Sequence, residues 1–280
     1  MEIMEIDEEN VEEFSPLIDE DLADDIQRVF FRGIGVKDDD DVPVGALVYE
    51  LYESESEEDT KSLIRLFKAE DEEVGRLLME EYAEFVKEDD IVESFYEVED
   101  EAVAKKLKRF GFSLDSREGV EINFNVEYLS GLPIVNHLKN PSYIMSLKDI
   151  SVLQFRSVIK ECLFKGRKGL LEDLAYLPMK WFDMEVSACS VSDDKVDGML
   201  LIRKTPSDML YVLLYVAFGH RPEQKLYQML LYSARMIVEH YPPETRIIIN
   251  RYHENVRNLT QKIFPDQNGN KVYYGIRKEQ

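Results

Sequence analysis

Two rhythms of apolar and polar positions run along this chain, and they arrive in an order that repeats. Met1 to Ile6 has the composition of a strand, and Val11, Phe14, Leu17 and Ile18 then fall at helical spacing within the acidic stretch from Glu8 to Arg28. After the acidic loop Asp38 to Asp41, Val42 to Leu51 reads as a strand. A charged turn from Glu53 to Asp59 leads back into Ser62 to Phe67, its antiparallel partner. Val74, Leu78, Tyr82 and Phe85 share one face of a helix, Ile91 to Val98 returns as a strand, Glu101 to Phe110 makes a short helix stopped by Gly111, and Val120 to Val126 is a further strand.

The second half keeps that order. Ser142 to Leu147 is strand-like, Ser151 to Phe164 and Leu170 to Phe182 are helical, and Met184 to Val191 is a strand closed by the turn Ser192-Asp193-Asp194. Val196 to Arg203 and Met209 to Phe218 form a hairpin, and Leu226, Leu230, Ala234 and Ile237 mark the inner face of a long helix from about Glu223 to His240. Strand Arg246 to Asn250, a short helix through Lys262 and strand Lys271 to Arg277 follow. Local likeness supports a duplication: Asp41 to Leu47 resembles Asp194 to Leu200, and 102–112 parallels 255–265. The fold class expected is α/β (α+β), two tandem copies of a mixed, mostly antiparallel sheet flanked by helices. The copies should occupy 1–130 and 142–280, with 131–141, where periodicity lapses and prolines appear, as linker.

Composition adds an asymmetry. The net charge of −23 is concentrated early: residues 1–130 hold 41 acidic and 13 basic side chains, and residues 131–280 hold 16 and 21. An acidic first half repels nucleic acid and anionic lipid, so neither is an expected partner. No signal peptide opens the chain and its apolar runs are too short to span a bilayer, so a cytoplasmic location is expected. Cys162 and Cys189 lie in unrelated contexts and read as small buried hydrophobes. His137, His220, His240 and His253 are scattered without metal-binding spacing, and Asp38 to Asp41 lacks the ligand alternation of a calcium loop, so no metal is expected.

The order strand, two helices, antiparallel meander, long helix, strand, short helix, strand resembles the GNAT superfamily of acyl-CoA N-acyltransferases, in two copies covering nearly the whole chain. In that family the strand before the long helix splays from its neighbour, acyl-CoA lies in the gap, and a loop of pattern Arg/Gln-x-x-Gly-x-Gly/Ala opens the helix against the pyrophosphate. Backbone N–H groups and the positive end of the helix dipole face the phosphates there. The first copy aligns with Glu70 in place of the basic residue, Asp71 to Glu73 where phosphates would lie, and Gly75 as its surviving glycine. The second copy keeps Arg221 but carries Gln224 and Leu226 at the glycine positions. The resemblance therefore implies acetyl-CoA or another acyl-CoA as cofactor, held in the second copy by Val216, Ala217, Phe218, His220, Arg221, Gln224, Lys225 and Leu226.

Acyl transfer from a thioester to an amine needs a group to take the ammonium proton, donors for the carbonyl oxygen and an acid for the leaving thiolate. In the family that acid is commonly a Tyr on the short last helix, where this sequence has Leu107 and Thr260. Tyr252 and His253, after the strand flanking the expected gap, are the candidate catalytic pair; Tyr211 and Tyr215 alternate with apolar residues as core side chains would. Two functions follow as expectations: an N-acyltransferase acting on a small-molecule amine or basic peptide, or an inactive member of the fold serving as a binding or scaffolding protein.

Overall fold

The computed structural model describes residues 1–28, 30–54, 57–137, 141–164, 177–251 and 254–279. The chain divides into two compact units, residues 1–118 with 271–280, and residues 119–270. These are not the expected spans. Val126–Ser130 (α4) and Pro133–His137 (α5), assigned from the sequence to the first copy and the linker, belong to the second unit, where both pack against its long helix.

Unit 1 is a seven-stranded sheet. Its strands are β1 (Glu2–Ile6), β2 (Phe31–Lys37), β3 (Pro43–Ser54), β4 (Glu57–Ala69), β5 (Ile91–Val98), β6 (Asp115–Glu118) and β13 (Lys271–Lys278), in the spatial order β1-β2-β3-β4-β5-β13-β6. Neighbours are antiparallel except for the parallel pair β4 and β5. From Val44 to Tyr49, β3 is apolar because both faces are covered there. Ala46 and Val48 pack with Ile6 and Phe14 under α1 (Glu20–Ile26) and a 3₁₀ turn, while Leu47 and Tyr49 pack with Leu78 and Tyr82 of α2 (Glu72–Glu88). Strand β2 was not expected. Its two glycines interrupt the apolar pattern, and they are there for space: a Cβ on Gly35 would lie 2.2 Å from the Phe14 ring. α3 (Glu101–Arg109) follows β5.

Unit 2 is a six-stranded sheet of β7 (Glu121–Asn125), β8 (Ile144–Ser146), β9 (Ala188–Ser192), β10 (Lys195–Lys204), β11 (Leu210–Ala217) and β12 (Arg246–Asn250), in the order β7-β12-β11-β10-β9-β8. β11 and β12 are its parallel pair. α6 (Val152–Phe164) lies over Met199, Leu201, Leu214 and Val216 on one face. The long helix α7 (Pro222–His240), with α4 and α8 (Glu254–Ile263), covers Leu200, Ile202, Ile247 and Ile249 on the other. Part of the helix expected over Leu170 to Phe182 lies outside the described residues; Met179–Trp181 is a 3₁₀ turn, and Phe182 is buried.

The two halves exchange strands. Lys271 to Arg277, expected to close the second copy, instead pairs with β5 of unit 1 from Tyr273↔Val98 to Lys278↔Glu93. Reciprocally, β7 of the first half pairs with β12 from Arg246↔Asn125 to Asn250↔Glu121. The inserted β13 brings buried polar groups with it. Ser62 and Ser94, opposite one another across the β4/β5 ladder, share hydrogen bonds with Tyr82 Oη at 2.5 and 2.7 Å, and Ser94 donates to the Glu279 carboxylate, which pairs with Arg277. Cys162 and Cys189 are buried and form no disulfide, and burial pushes the Cys189 thiol up to about 12.

Candidate functional site

Each unit opens at the same point of its sheet. In unit 2 the parallel ladder runs from Leu210↔Ile247 to Val212↔Ile249, after which β11 continues for five residues, to Ala217, while β12 ends one residue on, at Asn250. In unit 1 the ladder stops at Ile64↔Tyr96, and β4 likewise runs five residues further, to Ala69. A strand edge released from its neighbour presents N–H and C=O groups at regular spacing to an extended ligand.

The strand beyond the gap leads in each unit to the start of the central helix. In unit 2, Val216 and Ala217 occupy the open end of β11 and still pair with Met199 and Gly198 on the opposite edge, and the Phe218 N–H donates to the Asp197 carbonyl at 2.7 Å. The chain then turns sharply. Gly219 has φ +72° and Arg221 φ +50°, left-handed conformations that favour glycine, so Arg221 is held at some cost. His220, Arg221 and Gln224 are exposed. Pro222 at the first helical position contributes no N–H, and the N–H groups of Gln224 and Lys225 turn back to the Arg221 carbonyl at 3.1 and 3.3 Å.

Lys225 does not face outward with them. Its side chain is about nine-tenths buried, its Nζ lies 2.5 Å from Asp197 Oδ2, and it donates to the Phe218 carbonyl at 3.1 Å. Burial pushes the Asp197 carboxyl up, but hydrogen bonds from Lys225, Ser190 and Ser192 prevail and hold it below the usual carboxylate range. Lys225 thus braces the turn from within. Leu226 is half-buried against the core, and its carbonyl accepts a hydrogen bond from Tyr215 Oη at 2.9 Å. Burial raises the Tyr215 phenol well above its ordinary value, so it is a neutral structural donor. Tyr252 and His253 lie outside the described residues.

Unit 1 carries a cavity of about 440 Å³ at the corresponding place, between the end of β4, the start of α2 and α3. Phe67, Ala69, Gly75 and Phe110 give it an apolar floor, and Glu70 to Glu73 form its rim. Basic groups at its wall are engaged: Arg109 with Glu72 at 3.3 Å, Lys106 with the Ala69 carbonyl at 3.2 Å, Arg76 with Glu80 at 2.7 Å. On the short helices, Leu107 is wholly buried in the core, and the Thr260 hydroxyl is turned back to the carbonyls of Val256 and Arg257 at 2.8 and 3.1 Å.

No protein-family profile and no curated protein matches this sequence. Solved structures do match, over the full length. A tandem GNAT protein from the clavulanic acid biosynthesis pathway superimposes with a TM-score of 0.70 at 11% identity, covering 100% of this chain and 98% of that one. This chain has the tandem GNAT fold. A putative acetyltransferase from Pyrococcus horikoshii matches with a TM-score of 0.60 at 12% identity, over 100% of this chain and 89% of its own. Saccharomyces cerevisiae N-myristoyltransferase with bound myristoyl-CoA also matches with a TM-score of 0.60, at 13% identity and over 100% and 79% of the two chains. At such identities the likeness is one of fold, and the two splayed parallel pairs are its local expression. Among the described residues, no helix is long and apolar enough to cross a membrane and no group of three or more potential ligands could hold a metal ion.

Proposed function

We propose that the chain is an acyl-CoA dependent N-acyltransferase whose acyl carrier is held by unit 2. The observation that carries this reading is the open end of β11 leading directly into an exposed basic turn, His220-Arg221, at the start of a 19-residue helix. The released edge of Val216 to Phe218 suits an amide-containing arm, and Arg221, His220 and the positive end of α7 suit phosphate. Gln224 borders the same turn, whereas Lys225 and Leu226 support it from inside. When bound, the acyl-CoA supplies an activated acyl group as a thioester. In this reading Tyr252 and His253 exchange the protons: one takes the ammonium proton of the acceptor, the other protonates the departing sulfur. The acceptor is a cationic amine or a basic peptide, drawn by the chain's net negative charge of −23.

A second reading has a specific observation behind it. Leu107 and Thr260 stand where the family commonly has its acid, and both are consumed by packing or by their own helix; a protein that binds the carrier without turning it over fits that loss. One titration addresses both. Acetyl-CoA should raise the melting temperature of the wild-type chain, since a ligand bound only to the native state stabilises it by mass action. Arg221→Glu should weaken binding about tenfold, the equivalent of about 1.4 kcal/mol for a lost charge-assisted contact. No shift at millimolar acetyl-CoA sinks the proposal, and binding without acyl transfer to any amine in a panel selects the second reading.

A further inference from the structure

Arg251 follows β12 directly and is 1% exposed, the largest fully buried side chain among the described residues. Its N–H donates to the Val120 carbonyl at 2.6 Å, and one arm of its guanidinium, Nη1, donates to the Gln267 carbonyl at 3.0 Å. The opposite edge, Nε and Nη2, is buried and has no hydrogen-bond partner. That edge is the side-on fork of the guanidinium, whose two parallel N–H bonds match the two oxygens of a carboxylate. No ion pair joins Arg251 to an acidic side chain among the described residues, and the nearby Arg257 adds a second positive charge.

A second orphan lies in the same neighbourhood. Tyr128 Oη is buried with no hydrogen bond of normal geometry; the Gln267 side chain and the Asp266 carboxylate act on its phenol, and Tyr128 and Arg251 act on one another electrostatically. The Tyr128 ring is fixed by Phe124 and Phe264, with centroids 5.3 and 6.4 Å away, and its backbone N–H is capped by Asn125 Oδ1 at 3.1 Å. An unpaired guanidinium in such apolar surroundings is strongly unfavourable, and an arginine can scarcely escape by losing its proton.

We propose that Arg251 and Tyr128 form a buried receptor for a small carboxylate, bound side-on through Nε–H and Nη2–H with the tyrosine hydroxyl as third donor. The site uses none of the residues of the basic turn at Arg221, and it stands whether or not the chain transfers acyl groups. A free carboxylate anion and the carboxylate of a larger metabolite share this chemistry, so the test includes both kinds.

The experiment is thermal unfolding of the full chain at fixed total sodium salt, with chloride replaced stepwise by formate, acetate or N-acetylglycine. The wild type should gain several degrees, saturating as formate or acetate rises. A gain with N-acetylglycine as well assigns the site to chain-borne carboxylates, and its absence to free small anions. Arg251→Met should show no carboxylate-specific gain and should be at least as stable as the wild type in chloride alone, because an unpaired buried charge has been removed. Arg251→Lys, which keeps charge but loses the fork, should need about tenfold more formate, and Tyr128→Phe should respond at intermediate concentration. A flat wild-type response, a gain as large in Arg251→Lys as in the wild type, or a chloride effect equal to that of formate overturns the proposal. Should Arg251→Met fail to fold, the lysine and phenylalanine variants decide it.

Discussion

The two units share a splayed parallel pair and differ at the start of the helix that follows it. In unit 1, Asp71 sits in extended conformation before α2, and its carboxylate accepts the Val74 N–H at 2.9 Å. Glu72 and Glu73 fill the first turn behind it. The helix has satisfied its own orphan donor and complemented its own dipole, so nothing there invites a phosphate. In unit 2, Arg221 precedes α7 in left-handed conformation with no side-chain cap, and the nearby carboxylate, Asp197, is tied to Lys225 below the turn. Charge follows the same division: unit 1 holds 40 acidic and 16 basic side chains, a balance of −24, and unit 2 holds 17 and 18, a balance of +1. On the proposed function, the place where each helix finds its cap distinguishes the two helix starts more sharply than the count of glycines does.

The comparison breaks most severely where unit 1 depends on chain from the far end of the sequence. Gly275 of β13 faces Tyr96 of β5, and a Cβ there would lie 2.0 Å from the Ser113 carbonyl oxygen and 2.4 Å from the Tyr96 ring. Backbone cannot yield as a flexible side chain does. Gly275→Val should destabilise unit 1 by about 3 kcal/mol or more. Hydrogen exchange reads this separately for each unit: amides around Leu63 and Phe95 should lose protection while those of Ile247 to Ile249 keep theirs. Equal loss in both would mean that the units unfold as one.

A smaller effect is expected at the turn of unit 2. Asp197→Ala leaves the Lys225 ammonium largely buried with one carbonyl for company, and should cost about 2–3 kcal/mol in urea denaturation. Lys225→Met should cost less, since Asp197 keeps its serine donors. The pH dependence has a definite sign. Because the folded carboxyl is held below its usual range, its contribution is fully present above the unfolded value of about 4 and is lost as pH falls through the lower folded value. Wild type and Asp197→Asn should therefore converge in stability below pH 4. A constant gap down to pH 2 would show that the pair contributes through packing alone.

Periodicity carried most of the fold and little of the exchange. The inner face of α2 and the limits of β5 follow from apolar spacing because each element buries one stripe or one face. The run from Lys271 says strand plainly, yet nothing in it says that β5, and not the strand before it in its own half, will be its partner: register comes from contacts some 180 residues apart. The same distance hid Lys225. At a helix start a lysine reads as a phosphate ligand, and only the folded sheet brings Asp197, 28 residues earlier, beneath it. Arg251, after three isoleucines and an asparagine, carried no motif, and its unpaired edge exists only in three dimensions. The turn at Arg221 was legible because basic residues beside a helix-starting proline are a local signal.

The smallest expected effect is also the sharpest test of why the units diverged. Asp71→Ala removes the cap of α2 and should cost about 1 kcal/mol, whereas Asp71→Ser keeps an acceptor for the Val74 N–H and should cost only a few tenths. Combining Asp71→Ser with Glu70→Gln and Glu73→Gln strips the rim of the 440 Å³ cavity of most of its charge while leaving its apolar floor intact. If charge alone keeps an acyl carrier out of unit 1, this triple variant should show a second, weaker acetyl-CoA binding event by calorimetry, one that persists when Arg221→Glu is added. If the carboxylate cap matters more than the charge, Asp71→Ser retains the obstacle, since the serine still occupies the helix donor, and binding should remain at one site. Asp71→Gly in the same background then separates the two, because it frees the Val74 N–H for a ligand at a cost of a few tenths of a kcal/mol. A second site that appears only with glycine would place the division between the units in the hydrogen bonding of a single helix turn.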